Sequence, residues 1–203
     1  MLELPRTIKD LSEDEFEGDA SLIDRVKAKQ HAKIVEGYKL IPNNEQTELP
    51  FIFYSEININ NSRLWDLFIF LCKEQLPDTA ALIFGFYDNE VNYGKYLAKV
   101  DIIIELAKYQ REIVEDCHLE LGLIYHSELT LIEIYIAEAK YIKVWGCDEE
   151  SFRNIMNAFN LKEVENIEFI DEYPKVVYPL KTIMEDAVDT FEIITDLQEK
   201  FTE

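Results

Sequence analysis

The sequence predicts an α+β fold, a single mixed sheet with an antiparallel meander, covered by helices. Three observations carry this expectation. Short apolar runs rich in β-branched and aromatic residues alternate with longer runs whose apolar residues recur at helical spacing. Three strand-like runs follow one another between residues 118 and 145 with little between them, as strands joined by tight turns do. The 203 residues are 48% apolar, with 12 Phe and 11 Tyr, enough to bury a core without disulfides or metal.

The elements follow in order. Residues 10–20 (DLSEDEFEGDA) read as an acidic lead-in. Asp19 or Ser21 caps a helix running to about Glu36, with Gly37 as its stop and Leu22, Ile23, Val26 and Ile34 as a thin apolar stripe. Tyr38–Ile41 is a short strand ended by Pro42. Residues 42–49 (PNNEQTEL) are polar and turn-rich. They divide an N-terminal appendage, 1–49, from a main domain, 50–203.

In the main domain Phe51–Ile59 is a strand. Asn61 or Ser62 caps a helix with Leu64, Leu67, Phe68 and Leu71 at i, i+3, i+4, i+7, closed by Pro77. Thr79–Tyr87 is nearly unbroken in apolar residues, as a central strand buried on both faces is. The linking helix suggests a parallel βαβ unit. After the loop Asp88–Gly94 comes a helix, Val100–Glu115, with Ile103, Ile104, Ala107 and Val114 inward. The meander strands are His118–Tyr125, Leu129–Ala137 and Lys140–Trp145. In the middle one Ile132, Ile134 and Ile136 share one face, Glu133 and Tyr135 the other. Asp148 caps a helix to about Phe159. Glu165–Ile170 is a last strand. Thr182–Phe201 is a terminal helix with Ala187, Phe191, Ile194, Leu197 and Phe201 on one stripe.

Charge is the strongest functional signal. Lys and Arg number 20, Asp and Glu 41, a formal net charge of −21. Small domains typically carry about 2–8 charges net. Residues 101–203 alone hold 24 acids and 9 bases. Phosphate binding runs on Lys and Arg, so nucleic acid and anionic membrane are not expected partners. No apolar run approaches the ~20 residues of a membrane span. Residues 1–10 carry Glu3, Arg6, Lys9 and Asp10 with no apolar stretch, so no export signal is expected, and Cys72, Cys117 and Cys147 read as reduced thiols of a cytoplasmic protein.

The common catalytic signatures are missing. The six glycines are too dispersed for a phosphate loop or a dinucleotide fingerprint, and there is no HExxH, CxxC or G-x-S-x-G. His118, Glu120 and His126 share a strand parity, but His126 lies too far along the strand to join His118 on one ion. Cys117 and His118 point to opposite faces of a strand and are poorly placed to act as nucleophile and base. No metal, cofactor or catalytic residue is assigned, and the expectation leans against an enzyme.

Two surfaces remain. Glu133, Asp148, Glu149, Glu150, Glu165, Glu168, Asp171, Glu172 and Tyr173 are the candidate acidic-aromatic partner site. The loop that follows the central strand offers Tyr87, Asp88, Asn92, Tyr93 and Lys95 for a polar ligand. The leading expectation is a non-enzymatic acidic protein that engages a basic protein, in concrete form a bacterial immunity-type inhibitor of a nuclease toxin. The alternatives are a small-molecule-binding domain or enzyme using the 87–96 loop, and a structural or regulatory subunit docking through its C-terminal helix.

Overall fold

The structure, a computed structural model, describes residues 2–11, 20–44 and 48–202. Most of the acidic lead-in, including the Asp19 cap, lies outside the described residues, as does part of the 42–49 stretch.

In chain order the strands are β1 (Ile8–Asp10), β2 (Gly37–Pro42), β3 (Phe53–Asn58), β4 (Thr79–Phe86), β5 (Asn92–Tyr93), β6 (Leu97–Ala98), β7 (Leu119–His126), β8 (Leu131–Ile136), β9 (Ile142–Gly146) and β10 (Lys175–Val177). The helices are α1 (Ala20–Lys29), α2 (Asn61–Gln75), α3 (Lys99–Leu106), α4 (Gln110–Glu115), α5 (Glu149–Ala158), α6 (Leu180–Ile183) and α7 (Thr190–Phe201). The fold is α+β. One eight-stranded sheet runs β2-β3-β9-β8-β7-β4-β5, with β6 also on β4, and β1 and β10 form a separate ribbon. Strands β7, β8 and β9 are the expected meander.

Among the described residues every pairing of these strands is antiparallel. The β3-α2-β4 unit differs from the expected parallel neighbours. Its two strands run the same way, but β9, β8 and β7 lie between them. Residues 37–42, within the stretch set apart as an appendage, are a strand of the main sheet, and residues 8–10 pair with 175–177.

Helices α2, α5 and α7 pack their apolar stripes on one face of this sheet. In α2, Leu64, Leu67, Phe68, Leu71 and Cys72 are completely buried, a stripe at i, i+3, i+4, i+7, i+8. Leu76 after it is extended, ψ 146°, as a residue before proline must be, so Pro77 stops the helix. The sheet supplies Phe53, Ile57, Leu82, Phe84, Leu121, Leu123, Ile134, Ile136, Ile142 and Val144 to the same core. Burying each large side chain contributes about 1.5–3 kcal/mol. Asp148 caps α5, its carboxylate accepting from the Ser151 N–H at 2.9 Å.

Other elements depart from expectation. Helix α1 ends at Lys29, short of Gly37. The helix expected over 100–115 breaks at a 3-10 turn, Ala107–Tyr109, and buries Ile102 and Leu106 while Ile104 stays 60% exposed. Residues 165–170 form no strand. They run as a loop into a 3-10 turn at Ile170–Glu172, with Ile167, Phe169 and Ile170 in a second apolar cluster with Tyr141 and Ala137. The terminal helix is split into α6 and α7, and α7 buries Thr190, Ile193, Leu197 and Phe201 while Phe191 faces out. Among the described residues no helix is long and apolar enough to cross a membrane.

Candidate functional site

Alternation along the strands gives the sheet a second face, turned away from those helices. Register places its residues in rows. Tyr54 of β3 is opposite Trp145 of β9, which is opposite Glu133 of β8, which is opposite Ile124 of β7. The neighbouring row runs Lys39, Glu56, Lys143, Tyr135 and Gly122. Tyr141 lies one step beyond Lys143 on the same side. One end of the face is covered by the loop bearing Ile167, Phe169 and Ile170, with Leu4, Ile8 and Ile34 against it. The side chains of the two rows are mostly half-buried, as on a sheet face left partly open.

The chemistry of this face is carboxylate and ring. Glu56 pairs with Lys39 and accepts from the Tyr54 hydroxyl at 2.6 Å. Glu120 stands beside the Tyr135 hydroxyl, and its carboxylate accepts from the Glu138 N–H at 3.0 Å. The Tyr141 hydroxyl donates to Asp171 at 2.9 Å, and the other Asp171 oxygen is buried without a partner. Burial and these carboxylates raise the Tyr54, Tyr135 and Tyr141 hydroxyls, which stay protonated as donors. Tyr135 lies across Gly122, where a Cβ would come within 2.8 Å of its ring and 2.5 Å of the Ile134 carbonyl. Only glycine lets ring and backbone approach so closely.

Glu133 stands apart from the other carboxylates. It is in the middle of the face with no hydrogen bond or ion pair among the described residues. Burial pushes its carboxyl up to about 7, against a smaller downward pull from Lys143. Glu138 is raised in the same direction, by burial first and then by the charges of Asp171 and Glu120.

The structure brings together only part of the acidic set expected from sequence. Glu133 lies on the second face, and Asp171 lies against Tyr141 at its covered end. Asp148, Glu149 and Glu150 are at the start of α5, in the helix layer, where Glu149 pairs with Arg153 at 2.8 Å. Glu165 is exposed and its carbonyl accepts from Lys33 at 2.8 Å. Glu168 accepts from the Tyr173 hydroxyl and from the Lys33 N–H at 2.7 Å, contacts that hold its carboxyl below the usual range and push the Tyr173 hydroxyl up to about 12. Glu172 accepts from the Phe169 N–H at 2.9 Å, and its carbonyl accepts from Arg25 at 3.0 Å. These contacts fasten the loop to the N-terminal part of the chain.

The 87–96 loop lies at the β4-β5 edge. Asp88 takes a left-handed conformation, φ 63°, Tyr93 is 62% exposed, and Asn92 donates to the Phe84 carbonyl at 3.4 Å. Tyr87 and Lys95 are exposed. Cys117 is buried, with the Thr7 hydroxyl at 3.2 Å, and burial raises its thiol. His118 faces Asp116 at 3.3 Å. Among the described residues no three His, Cys, Asp or Glu side chains converge as a metal site.

Sequence reasoning had Tyr135 on the face of its strand that Glu133 shares, and missed Tyr54, Glu56, Glu120, Glu138, Tyr141, Lys143 and Trp145 as members of the same sheet face. Their signal was the outward parity of β3, β8 and β9. Comparison of the chain with protein-family models, curated proteins and solved structures finds no match.

Proposed function

We propose that the chain is a non-enzymatic acidic binding protein that engages a basic protein partner through the second face of its sheet. Its most concrete form is an immunity-type inhibitor of a nuclease toxin, covering a positive substrate cleft in place of nucleic acid. The observation that carries the reading is one sheet face where Glu56, Glu120, Glu133, Glu138 and Asp171 stand among Tyr54, Tyr135, Tyr141 and Trp145. Against them, among the described residues, the rows of this face hold Lys39 and Lys143, and Lys175 and Lys140 act on Glu138 from its edge. Aromatic side chains anchor interfaces, and like-signed charge around them speeds the encounter with a partner of opposite sign.

The test is association with the purified product of the neighbouring gene, followed across about 50–500 mM salt. The rate should fall steeply with salt, and Glu120→Lys with Glu138→Lys should slow it while leaving the fold intact by circular dichroism. If the partner is a nuclease, the protein should suppress its cleavage of nucleic acid at equimolar ratio. A rate indifferent to both salt and charge reversal would overturn the reading.

A further inference from the structure

We propose that Tyr54, Trp145 and Glu133 form a seat for one arginine side chain of the partner; the inference rests on the function proposed above and names the group that its central row receives. The face itself shows how its other rings and acids are satisfied. The Lys39 ammonium lies 4.9 Å from the centre of the Phe169 ring and pairs with Glu56. The Lys143 ammonium lies 5.2 Å from the centre of the Tyr141 ring. Each of those cations is supplied from within the chain. The row Tyr54–Trp145–Glu133 has the rings and the carboxylate; among the described residues none of its members is a cation, and Lys143, in the next row, acts on Glu133 without forming an ion pair.

Its geometry suits a guanidinium. The Tyr54 and Trp145 rings are 4.7 Å apart between centroids and tilted by 46°, and both are half-buried. Trp145 is the direct cross-strand neighbour of Glu133, which puts their Cβ atoms about 5 Å apart. Ile124, half-buried, is the cross-strand neighbour of Glu133 on the other side of the row. A planar, weakly hydrated guanidinium stacks on an indole while donating two hydrogen bonds to one carboxylate, and an ammonium does only one of these well. A metal ion needs several oxygen ligands, and this row offers a single carboxylate.

The experiment uses the full chain at pH 8 and low salt, with N-acetyl-arginine methylamide as the probe and the lysine analogue as its control. The readout is the indole N–H resonance of Trp145. Trp65, the other tryptophan, sits on α2 in the helix layer and serves as the internal reference. The arginine probe should shift the Trp145 resonance saturably and leave that of Trp65 in place. The lysine analogue should bind severalfold more weakly, and Glu133→Gln should weaken the arginine probe by about tenfold. An unmoved Trp145 resonance, equal binding of the lysine analogue, or full binding by Glu133→Gln would each overturn the seat. Salt-sensitive binding of the neighbouring gene product with a silent Trp145 would remove the seat and leave the proposed function standing. A responsive Trp145 with no salt-sensitive partner would do the reverse.

Discussion

At Glu133 the cost of burying a carboxylate falls on a single side chain. Its carboxyl titrates near 7 because burial penalises the charged form, whereas in the unfolded chain it titrates at the ordinary 4.5. Between those values the folded protein holds a proton that the unfolded chain has released. Stability therefore falls as pH rises through that window and levels off above it. The loss is on the order of 2–3 kcal/mol. Glu133→Gln keeps the shape and removes the charge. In urea melts it should match the parent near pH 4.5 and exceed it by about 1–3 kcal/mol at pH 8. Some slope should remain, because Glu138 is raised in the same direction. Identical pH profiles for parent and variant would show that Glu133 is well solvated. Glu133 was visible in the sequence as an acid on the polar side of an isoleucine-rich strand. Its neighbours Tyr54 and Trp145 were not, because register across β3, β9 and β8 is set by pairing between distant parts of the chain.

At the scale of elements, local pattern was a good guide wherever one physical cause dominated. Strand β4, helix α2 and the three meander strands come out close to the expected residues, because apolar run, helical spacing and tight turns each point one way. Leu82 of β4 is completely buried. Leu82→Ala should cost roughly 2–5 kcal/mol in urea melts, the transfer of the lost methyl groups plus a cavity that the packed sheet cannot close; a loss under half a unit would contradict its burial. The misread elements have specific reasons. Helix α7 turns its face because Thr190, a polar residue, occupies the buried side. Its hydroxyl donates to the buried carboxylate of Asp116 at 2.5 Å, so a hydrogen bond stands where apolar spacing looked for a side chain like Phe191. In α3 three consecutive isoleucines, 102–104, leave the inward face undefined by spacing alone. Residues 165–170 have strand-like composition, yet the backbone makes one isolated bridge nearby, Tyr38 with Glu163, and the apolar side chains fold into the second cluster instead. The C-terminal stripe, which suggested a docking helix, is largely accounted for by burial within the chain.

For the whole molecule the net charge of −21 acts on stability as well as on partners. Repulsion among the acids opposes compaction and is screened by salt, the Debye length shrinking from about 30 Å at 0.01 M to about 10 Å at 0.1 M. The melting temperature should therefore rise by a few degrees over that range, equally in sodium and potassium chloride. A flat response would mean that the chain's ion pairs already neutralise the repulsion locally. The placing of three strands between β3 and β4 also dictates an order of assembly. Helix α2 carries the chain across the sheet before the middle of that sheet has been synthesised. Phe53 must wait for Gly146, and Phe84 for Leu121, before either finds its hydrogen-bonding neighbour on that side. The first hundred residues thus supply two separated flanks and the helix that links them, and the meander that follows is the keystone between them, with α5 and α7 still to be added to the same core. Contacts so distant along the chain slow closure. The acid-aromatic face that the keystone carries comes into existence only when the whole sheet does.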